Sequence, residues 1–217
     1  MESKTEVTFI GSSVARRLCS ALPDHDNIRA VNKTVSGAGI LSQNKGQDRN
    51  SVFVSLESFV NDKFVCLQYG GNDFFAHENC EHHIKNVRIF SNCHHKKRFS
   101  ETINQFLCDF KGDIVWIIGI LPRYLNIKCC PEHKLKEETT SKILKLVNDV
   151  NRDLQKKCNY FDKQHGKKVI FLDPNSLLPE PVLWENASDD QVHFSSSVNA
   201  HCAKVLLECI SYHLEHR

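Results

Sequence analysis

The residue types needed for acyl transfer occur near both ends of this chain of 217 residues. Ser13 supplies a hydroxyl nucleophile, and His193 supplies a base that can take its proton and later pass it to a leaving alcohol. Asp190 stands shortly before His193, where a carboxylate can hold the imidazole in one tautomer and stabilise its charged form. Ser13, His193 and Asp190 are therefore the predicted catalytic residues.

Acyl transfer also needs hydrogen-bond donors for the oxyanion of the tetrahedral intermediate. The predicted donors are the backbone N–H groups of Ser13 and Gly37 and the side-chain amide of Asn72. Ser13 is expected where a strand turns into a helix, and a helix N-terminus stabilises a nearby negative charge. Glycine at position 37 leaves no Cβ between the backbone and the substrate.

Hydrophobic patterning predicts the elements that position these residues. Continuously apolar runs predict strands buried on both faces, at Val7 to Ile10, Ile28 to Val35, Phe64 to Tyr69, Ile114 to Leu121 and Lys168 to Leu172. Helical spacing predicts helices at Ser13 to Leu22, Val52 to Val60, Phe99 to Phe110, Glu137 to Tyr160 and Ser196 to His213. The polar segments 36–50 and 77–98 are predicted to be loops.

This alternation of strands and helices predicts the α/β class. We expect a three-layer α/β/α sandwich with a five-stranded, mainly parallel sheet, in a single domain that spans residues 1–217. Ligands of such sheets bind outside the carboxyl ends of the strands. The segments 11–13, 36–39, 70–73 and 189–193 are therefore expected to meet at one edge of the sheet.

The same four segments resemble the motifs of the SGNH hydrolases, in the GDSL esterase/lipase superfamily. The matching residues are Phe9-Ile10-Gly11-Ser12-Ser13, Gly37, Gly70-Gly71-Asn72-Asp73 and Asp190-Gln191-Val192-His193. The resemblance implies a flavodoxin-like fold and metal-independent ester hydrolysis. It also implies that Ser13, Gly37, Asn72 and His193 are the four name-giving residues, with Asp190 completing the triad.

One residue departs from the usual family pattern, which has aspartate before the nucleophile where this chain has Ser12. Starts with Gly-Ser-Ser do occur in the superfamily. The segments 11–13, 16–18 and 121–123 resemble a eukaryotic branch. That branch includes the esterase domains of LINE-type retrotransposon first-reading-frame proteins and stand-alone animal relatives.

Each candidate residue could also have a purely structural role. Ser13 could cap a helix, and Gly37 could serve a turn. Asn72 and Asp73 could form an Asx-turn that closes the strand, and His193 could be a capping or surface histidine. The complete set of motifs favours a serine esterase for a small acetyl or short-chain ester, with lipids and acetylated sugars among its possible substrates. The alternative is a catalytically weak binding module for RNA, lipid or protein, which Ser12 leaves open.

The composition and charge of the chain bear on its type of fold, its partners and its location. A content of 41% hydrophobic and 25% charged residues is typical of globular proteins. The net charge of +2 gives no strong nucleic-acid signature. No apolar run approaches the roughly 20 residues of a transmembrane helix, and residues 1–6 lack the apolar core of a secretory signal. We expect a cytoplasmic enzyme without a cofactor. Six of its ten cysteines lie in apolar or helical patterns and are expected to be reduced thiols, mostly in the core: Cys19, Cys66, Cys108, Cys158, Cys202 and Cys209.

Two segments rich in cysteine and histidine stand apart from these motifs. Cys80 and Cys93 lie in one of them, and Cys129, Cys130 and His133 lie in the other. Side chains of these types can hold zinc in tetrahedral geometry. The spacing matches no standard zinc finger, so a polar segment with free thiols is the other interpretation.

Overall fold

The structure is a computed structural model, and it describes residues 3–41, 52–80, 83–121, 133–165, 168–179 and 193–217. The described strands are β1 (Thr5–Gly11), β2 (Ile28–Asn32), β3 (Ala38–Gly39), β4 (Val52–Phe53), β5 (Phe64–Gln68), β6 (Phe75–Cys80), β7 (His83–Ile89), β8 (Ile114–Ile118) and β9 (Lys168–Leu172). The described α-helices are α1 (Ser13–Ser20), α2 (Gly71–Phe74), α3 (Cys93–Asp109), α4 (His133–His165) and α5 (Ser196–Glu215). Short 3-10 helices occur at Leu56–Phe59 and Pro174–Leu177.

The main sheet is parallel and has the strand order β2-β1-β5-β8-β9. Counted along the chain, its five strands follow the flavodoxin-like order 2-1-3-4-5. The chain first moves outward from β1 to β2 and then returns to the other side of β1 to form β5. The order therefore reverses between β1 and β5, which is the point where ligands bind in open α/β sheets.

Helices cover both faces of this sheet. Side chains of β5 alternate between two buried clusters, because successive strand residues point to opposite faces. Val65 and Leu67 pack with residues of α3 and α4, whereas Phe64 and Cys66 pack with residues of α1 and α5. Both faces are apolar for this reason, and the expected three-layer α/β/α sandwich is confirmed.

The predicted helix from Val52 to Val60 is wrong. Val52 and Phe53 instead form β4, which pairs with β3, and a 3-10 helix follows at Leu56–Phe59. Ser55 begins this short helix by accepting a hydrogen bond from the amide of Glu57. The apolar spacing is helical over one turn only, and the pairing with β3 fixes the residues before it.

The prediction of a loop across 77–98 is also wrong. β6 and β7 form an antiparallel ribbon, and α3 begins at Cys93, well before the predicted start at Phe99. Asn92 caps α3 by accepting a hydrogen bond from the amide of His95. Among the described residues, no helix combines the length and the apolar character needed to cross a bilayer.

Candidate active site

Ser13 and His193 meet at the carboxyl edge of the sheet, although most of the chain separates them in sequence. The distance from Ser13 Oγ to His193 Nε2 is 2.6 Å, and both residues are partly buried. This is the length of a strong hydrogen bond between a hydroxyl and an imidazole nitrogen. Such a contact is the geometry in which a histidine can accept the proton of a serine nucleophile.

The turn that carries Ser13 is built by close packing of β1, β5 and α1. A Cβ at Gly11 would lie 2.4 Å from the backbone oxygen of Gln68 and 2.5 Å from the Cβ of Ala15. Only glycine fits between the neighbouring strand and the helix. The amide of Ser12 donates to the backbone oxygen of Gln68 at 3.3 Å, which continues the sheet contact up to the residue before Ser13.

Ser13 is the first residue of α1, and Ser12 is its N-cap. The Ser12 side chain makes no hydrogen bond to the helix amides. Its hydroxyl instead donates to the side-chain oxygen of Gln68 at 3.1 Å. Where the resembled family usually has a carboxylate, this chain has a neutral, buried hydroxyl that joins β1 to β5.

Gly37 lies beside this turn with a φ of 73°. A residue with a Cβ is strained in that conformation, so the glycine has a backbone reason as well as the predicted functional one. The amide of Val35 donates to the oxygen of Gly11, and the amide of Val52 donates to the oxygen of Gly37. These contacts place the Gly37 segment next to the end of β1, where Ser13 begins.

Asn72 lies in α2, directly after β5, and so across the switch point from α1. Its side-chain nitrogen donates to the backbone oxygen of Ala38 at 3.0 Å. This bond fixes the plane of the amide and links the Asn72 turn to the Gly37 segment. Ser13, Gly37 and Asn72, the three predicted oxyanion donors, therefore belong to neighbouring segments of one sheet edge.

Asp73 has a larger role in the structure than an Asx-turn at the end of a strand would give it. Its side chain is fully buried, and its carboxylate accepts hydrogen bonds from the amides of Ile40, Leu41 and Gly70 at 2.8, 2.9 and 3.2 Å. Burial raises the pKa of this carboxyl to about 6, although the three amide hydrogen bonds favour the charged form.

His193 is positioned by the start of α5. The next residue, Phe194, is buried, and its backbone oxygen accepts a 2.8 Å hydrogen bond from the Asn199 side chain. Ser195 caps the helix by accepting from the amide of Val198. A buried side chain and a helix cap thus hold the backbone on the C-terminal side of the imidazole.

Other predicted residues lie outside the described part of the chain. These are Asp190, predicted to orient His193, and Cys129 and Cys130 of the second cysteine-rich segment. Cys93 is exposed at the start of α3, and the side chains of Cys80 and His133 are not among those described. Within the described residues, no group of three or more His, Cys, Asp or Glu side chains is arranged to hold a metal ion.

Comparison with solved structures identifies the fold. The chain is similar to an aryl esterase from M. smegmatis, with 11% identity, a TM-score of 0.58 and coverage of 97% of this chain and 99% of that one. It is similar to a protein from Bacteroides fragilis provisionally assigned as an acylhydrolase, with 15% identity, a TM-score of 0.56 and coverage of 96% and 88%.

A third similar structure is a salicylyl-acyltransferase from a tetracycline biosynthetic pathway, with 10% identity and a TM-score of 0.57, where the match covers 97% of this chain and 56% of that one. No protein-family model and no curated protein matches the sequence. The fold is that of the SGNH hydrolases, as the motifs implied. At these identities the likeness establishes the fold alone.

Proposed function

We propose that the protein is a serine esterase that hydrolyses a small carboxylic ester, with an acetyl or another short acyl group. The proposal rests on the 2.6 Å contact between Ser13 Oγ and His193 Nε2 at the switch point of the sheet. The N-cap of α1 is Ser12, and a serine with only a structural role at the first helical position would not need an imidazole at its hydroxyl. The esterase and acyltransferase activities named for the similar structures agree with the same chemistry.

In the proposed reaction, His193 Nε2 takes the Ser13 proton while Oγ bonds to the carbonyl carbon of the ester. The carbonyl oxygen becomes an oxyanion that accepts hydrogen bonds from the Ser13 and Gly37 amides and the Asn72 side chain. One such donor is typically worth about 3–4 kcal/mol of barrier. Asp190 is proposed to orient the imidazole and to stabilise its protonated form.

Collapse of this intermediate breaks the bond to the alcohol, which leaves with the proton from His193. An acyl group then remains on Ser13 Oγ. A water molecule gives a proton to His193 and attacks the acyl carbon, and collapse of the second intermediate releases the carboxylic acid and restores the Ser13 hydroxyl. We assign a short acyl group because the segments between the elements carry no long apolar insertion that would cover an extended chain.

Labelling with a fluorophosphonate probe tests the proposal directly. The wild-type protein should be labelled at Ser13, located by mass spectrometry, and should hydrolyse p-nitrophenyl acetate faster than the butyrate and octanoate esters. Ser13→Ala should lose labelling and about a thousandfold or more in rate. The control is Ser20→Ala, because Ser20 is an exposed serine on the same helix.

Two outcomes would contradict the esterase assignment. One is a Ser13→Ala variant that keeps more than about a tenth of the wild-type rate, since loss of a nucleophile costs far more than that. The other is absence of labelling together with tight, salt-sensitive RNA binding, which would favour a binding module of the same fold.

A further inference from the structure

The segment that carries Gly37 and the turn that carries Asn72 are joined by one buried carboxylate. Asp73 accepts hydrogen bonds from the amides of Ile40 and Leu41 on the first segment and of Gly70 on the second. We call these three bonds the Asp73 clamp. Ile40 and Leu41 are themselves buried, so without the carboxylate their N–H groups would lose an acceptor that water could not replace.

The geometry on both sides of the clamp is tightly fitted. Asp73 Oδ1 would lie 2.7 Å from a Cβ added at Gly39, so a glycine is needed for the segment to approach the carboxylate. Gly70 has a φ of 109°, a conformation that favours glycine. The Asn72 amide then reaches the Ala38 oxygen at 3.0 Å. Two adjacent residues therefore connect the two segments by side-chain hydrogen bonds to the backbone: Asn72 bonds to Ala38, and Asp73 bonds to Ile40 and Leu41.

We infer that Asp73 is a positioning residue, which sets the separation of the Gly37 amide and the Asn72 amide so that both reach the same oxyanion. This inference rests on the proposed esterase function. Asp73 does not touch the reacting atoms, and it acts through the backbone of residues 37–41 and through α2. Oxyanion donors act only when they are held in place before charge develops, so a loosened clamp should lower kcat more than it raises KM.

The clamp has a defined dependence on protonation. An ionised carboxylate offers acceptors to all three amides, whereas a protonated one turns one oxygen into a donor. Two titratable side chains of the described elements lie close to Asp73: Tyr69, which follows β5 and interacts electrostatically with the carboxylate, and His95 on α3. His95 Nε2 lies 2.6 Å from the Asp73 backbone oxygen. Burial raises the Asp73 pKa to about 6, so the clamp loosens within a measurable pH range.

The decisive variant is Asp73→Asn, which keeps the shape but places an NH2 group where one amide needs an acceptor. We expect kcat on p-nitrophenyl acetate to fall about 10- to 100-fold, with KM changed less than about threefold. Gly39→Ala disturbs the clamp from the other side, and it should lower kcat in the same way with the carboxylate intact. The matched control is Asp173→Asn, since Asp173 also accepts a backbone amide but caps an exposed 3-10 helix after β9.

The pH profile separates a positioning role from a merely structural one. Below pH about 6, kcat/KM of the wild type should fall more steeply with decreasing pH than kcat/KM of Asp73→Asn, because only the wild type has a carboxyl at position 73 that can take up a proton. His95→Gln, which keeps a side-chain N–H donor, should show the same steep fall of kcat/KM as the wild type.

A structural readout keeps this inference distinguishable from the proposed function. In ¹H–¹⁵N spectra, the amides of Ile40, Leu41 and Gly70 should titrate together with a midpoint near pH 6, in wild type and in Ser13→Ala alike. Positioning is overturned if Ser13 is labelled in the wild type while Asp73→Asn and Gly39→Ala both keep kcat within about twofold of it. If the wild type is not labelled but the amides titrate, the proposed function fails and Asp73 is only a structural carboxylate.

Discussion

The Ser12 hydroxyl donates a hydrogen bond to the Gln68 side-chain oxygen at 3.1 Å, and the two residues are 2% and 1% exposed. Ser12 ends the turn after β1, and Gln68 is the last residue of β5. The bond therefore joins the two strands that lead to Ser13 and to Asn72. An aspartate at position 12 could not donate in this way, so the serine fits its partner.

Ser12→Ala should destabilise the protein because the Gln68 oxygen would remain buried without its donor. A loss of about 1–3 kcal/mol in the free energy of unfolding is expected, measured by urea denaturation. The double variant Ser12→Ala with Gln68→Leu removes both partners, and it should recover part of that loss. If the losses of the single variants Ser12→Ala and Gln68→Leu simply add up in the double variant, a direct bond between the two side chains is contradicted.

Gly11→Ala should be costly although its backbone conformation suits alanine. The new methyl group would lie 2.4 Å from the Gln68 oxygen and 2.5 Å from the Ala15 Cβ, so α1 must move away from the sheet. Overpacking of this kind typically costs about 1–3 kcal/mol. A shift of α1 also moves Ser13 away from His193, so both the melting temperature and the rate of fluorophosphonate labelling should fall.

Ser20→Ala serves as the control for Gly11→Ala. It adds no atom and lies on the exposed side of the same helix. Its melting temperature and labelling rate should match those of the wild type. A Gly11→Ala variant that behaves like this control would mean that α1 does not pack as closely on β1 and β5 as the structure has it.

The main sheet and the helices that cover it could be predicted because their signals are local. The run from Ile114 to Ile118 is apolar throughout since both of its faces are covered, and such a run is typical of a central strand. The ribbon of β6 and β7 could not be predicted, for the opposite reason. Its two strands contain two His, two Asn, one Glu, one Lys and one Arg, and a two-stranded ribbon owes its pairing to a partner strand rather than to an apolar pattern.

Some contacts of the candidate site could be predicted from the sequence, and others could not. Ser13 and His193 could be paired from sequence because a parallel sheet brings the carboxyl ends of its strands to one edge. The Asp73 clamp could not, since its acceptors serve amides of Ile40 and Leu41 on a separate segment. The acceptor of a backbone amide cannot be read from the sequence. The sequence did show Asp73 in the Gly70-Gly71-Asn72-Asp73 motif and a glycine at position 39, which the approach of the carboxylate requires.

Asn199 should act on His193 through the backbone between them. Asn199→Asp keeps the shape but replaces the N–H donor with an oxygen that faces the Phe194 carbonyl oxygen, 2.8 Å from the present nitrogen. Repulsion between the two oxygens should displace Phe194 and its neighbour His193. We expect kcat to fall about tenfold or more, because small misplacements of a catalytic group are costly.

The neighbouring variant His201→Ala is the control for Asn199→Asp. His201 is exposed on the same helix, so its loss should leave kcat within about twofold of the wild type. A normal kcat in Asn199→Asp, with a lowered melting temperature, would show that Asn199 supports the fold without placing His193.

Asp73 should also make the stability of the protein depend on pH. Its pKa in the folded protein is about 6, above the ordinary value of 3.8, so between these pH values the folded state binds a proton that the unfolded state has lost. Stability from this group is then present at low pH and lost as the pH rises through 6. At pH 7, where the carboxyl is charged, the free energy of unfolding is therefore lower by up to about 3 kcal/mol than at low pH, where the carboxyl is protonated.

Asp73→Asn carries no charge and should remove this dependence. The difference in unfolding free energy between the variant and the wild type, from urea denaturation at matched pH, should shift in favour of the variant as the pH rises from about 4 to 7. Other carboxylates titrate in the same range, and taking the difference cancels their contribution. A difference that stays constant over this range, or that moves in favour of the wild type, would mean that the buried carboxylate is held ionised by its three amides throughout.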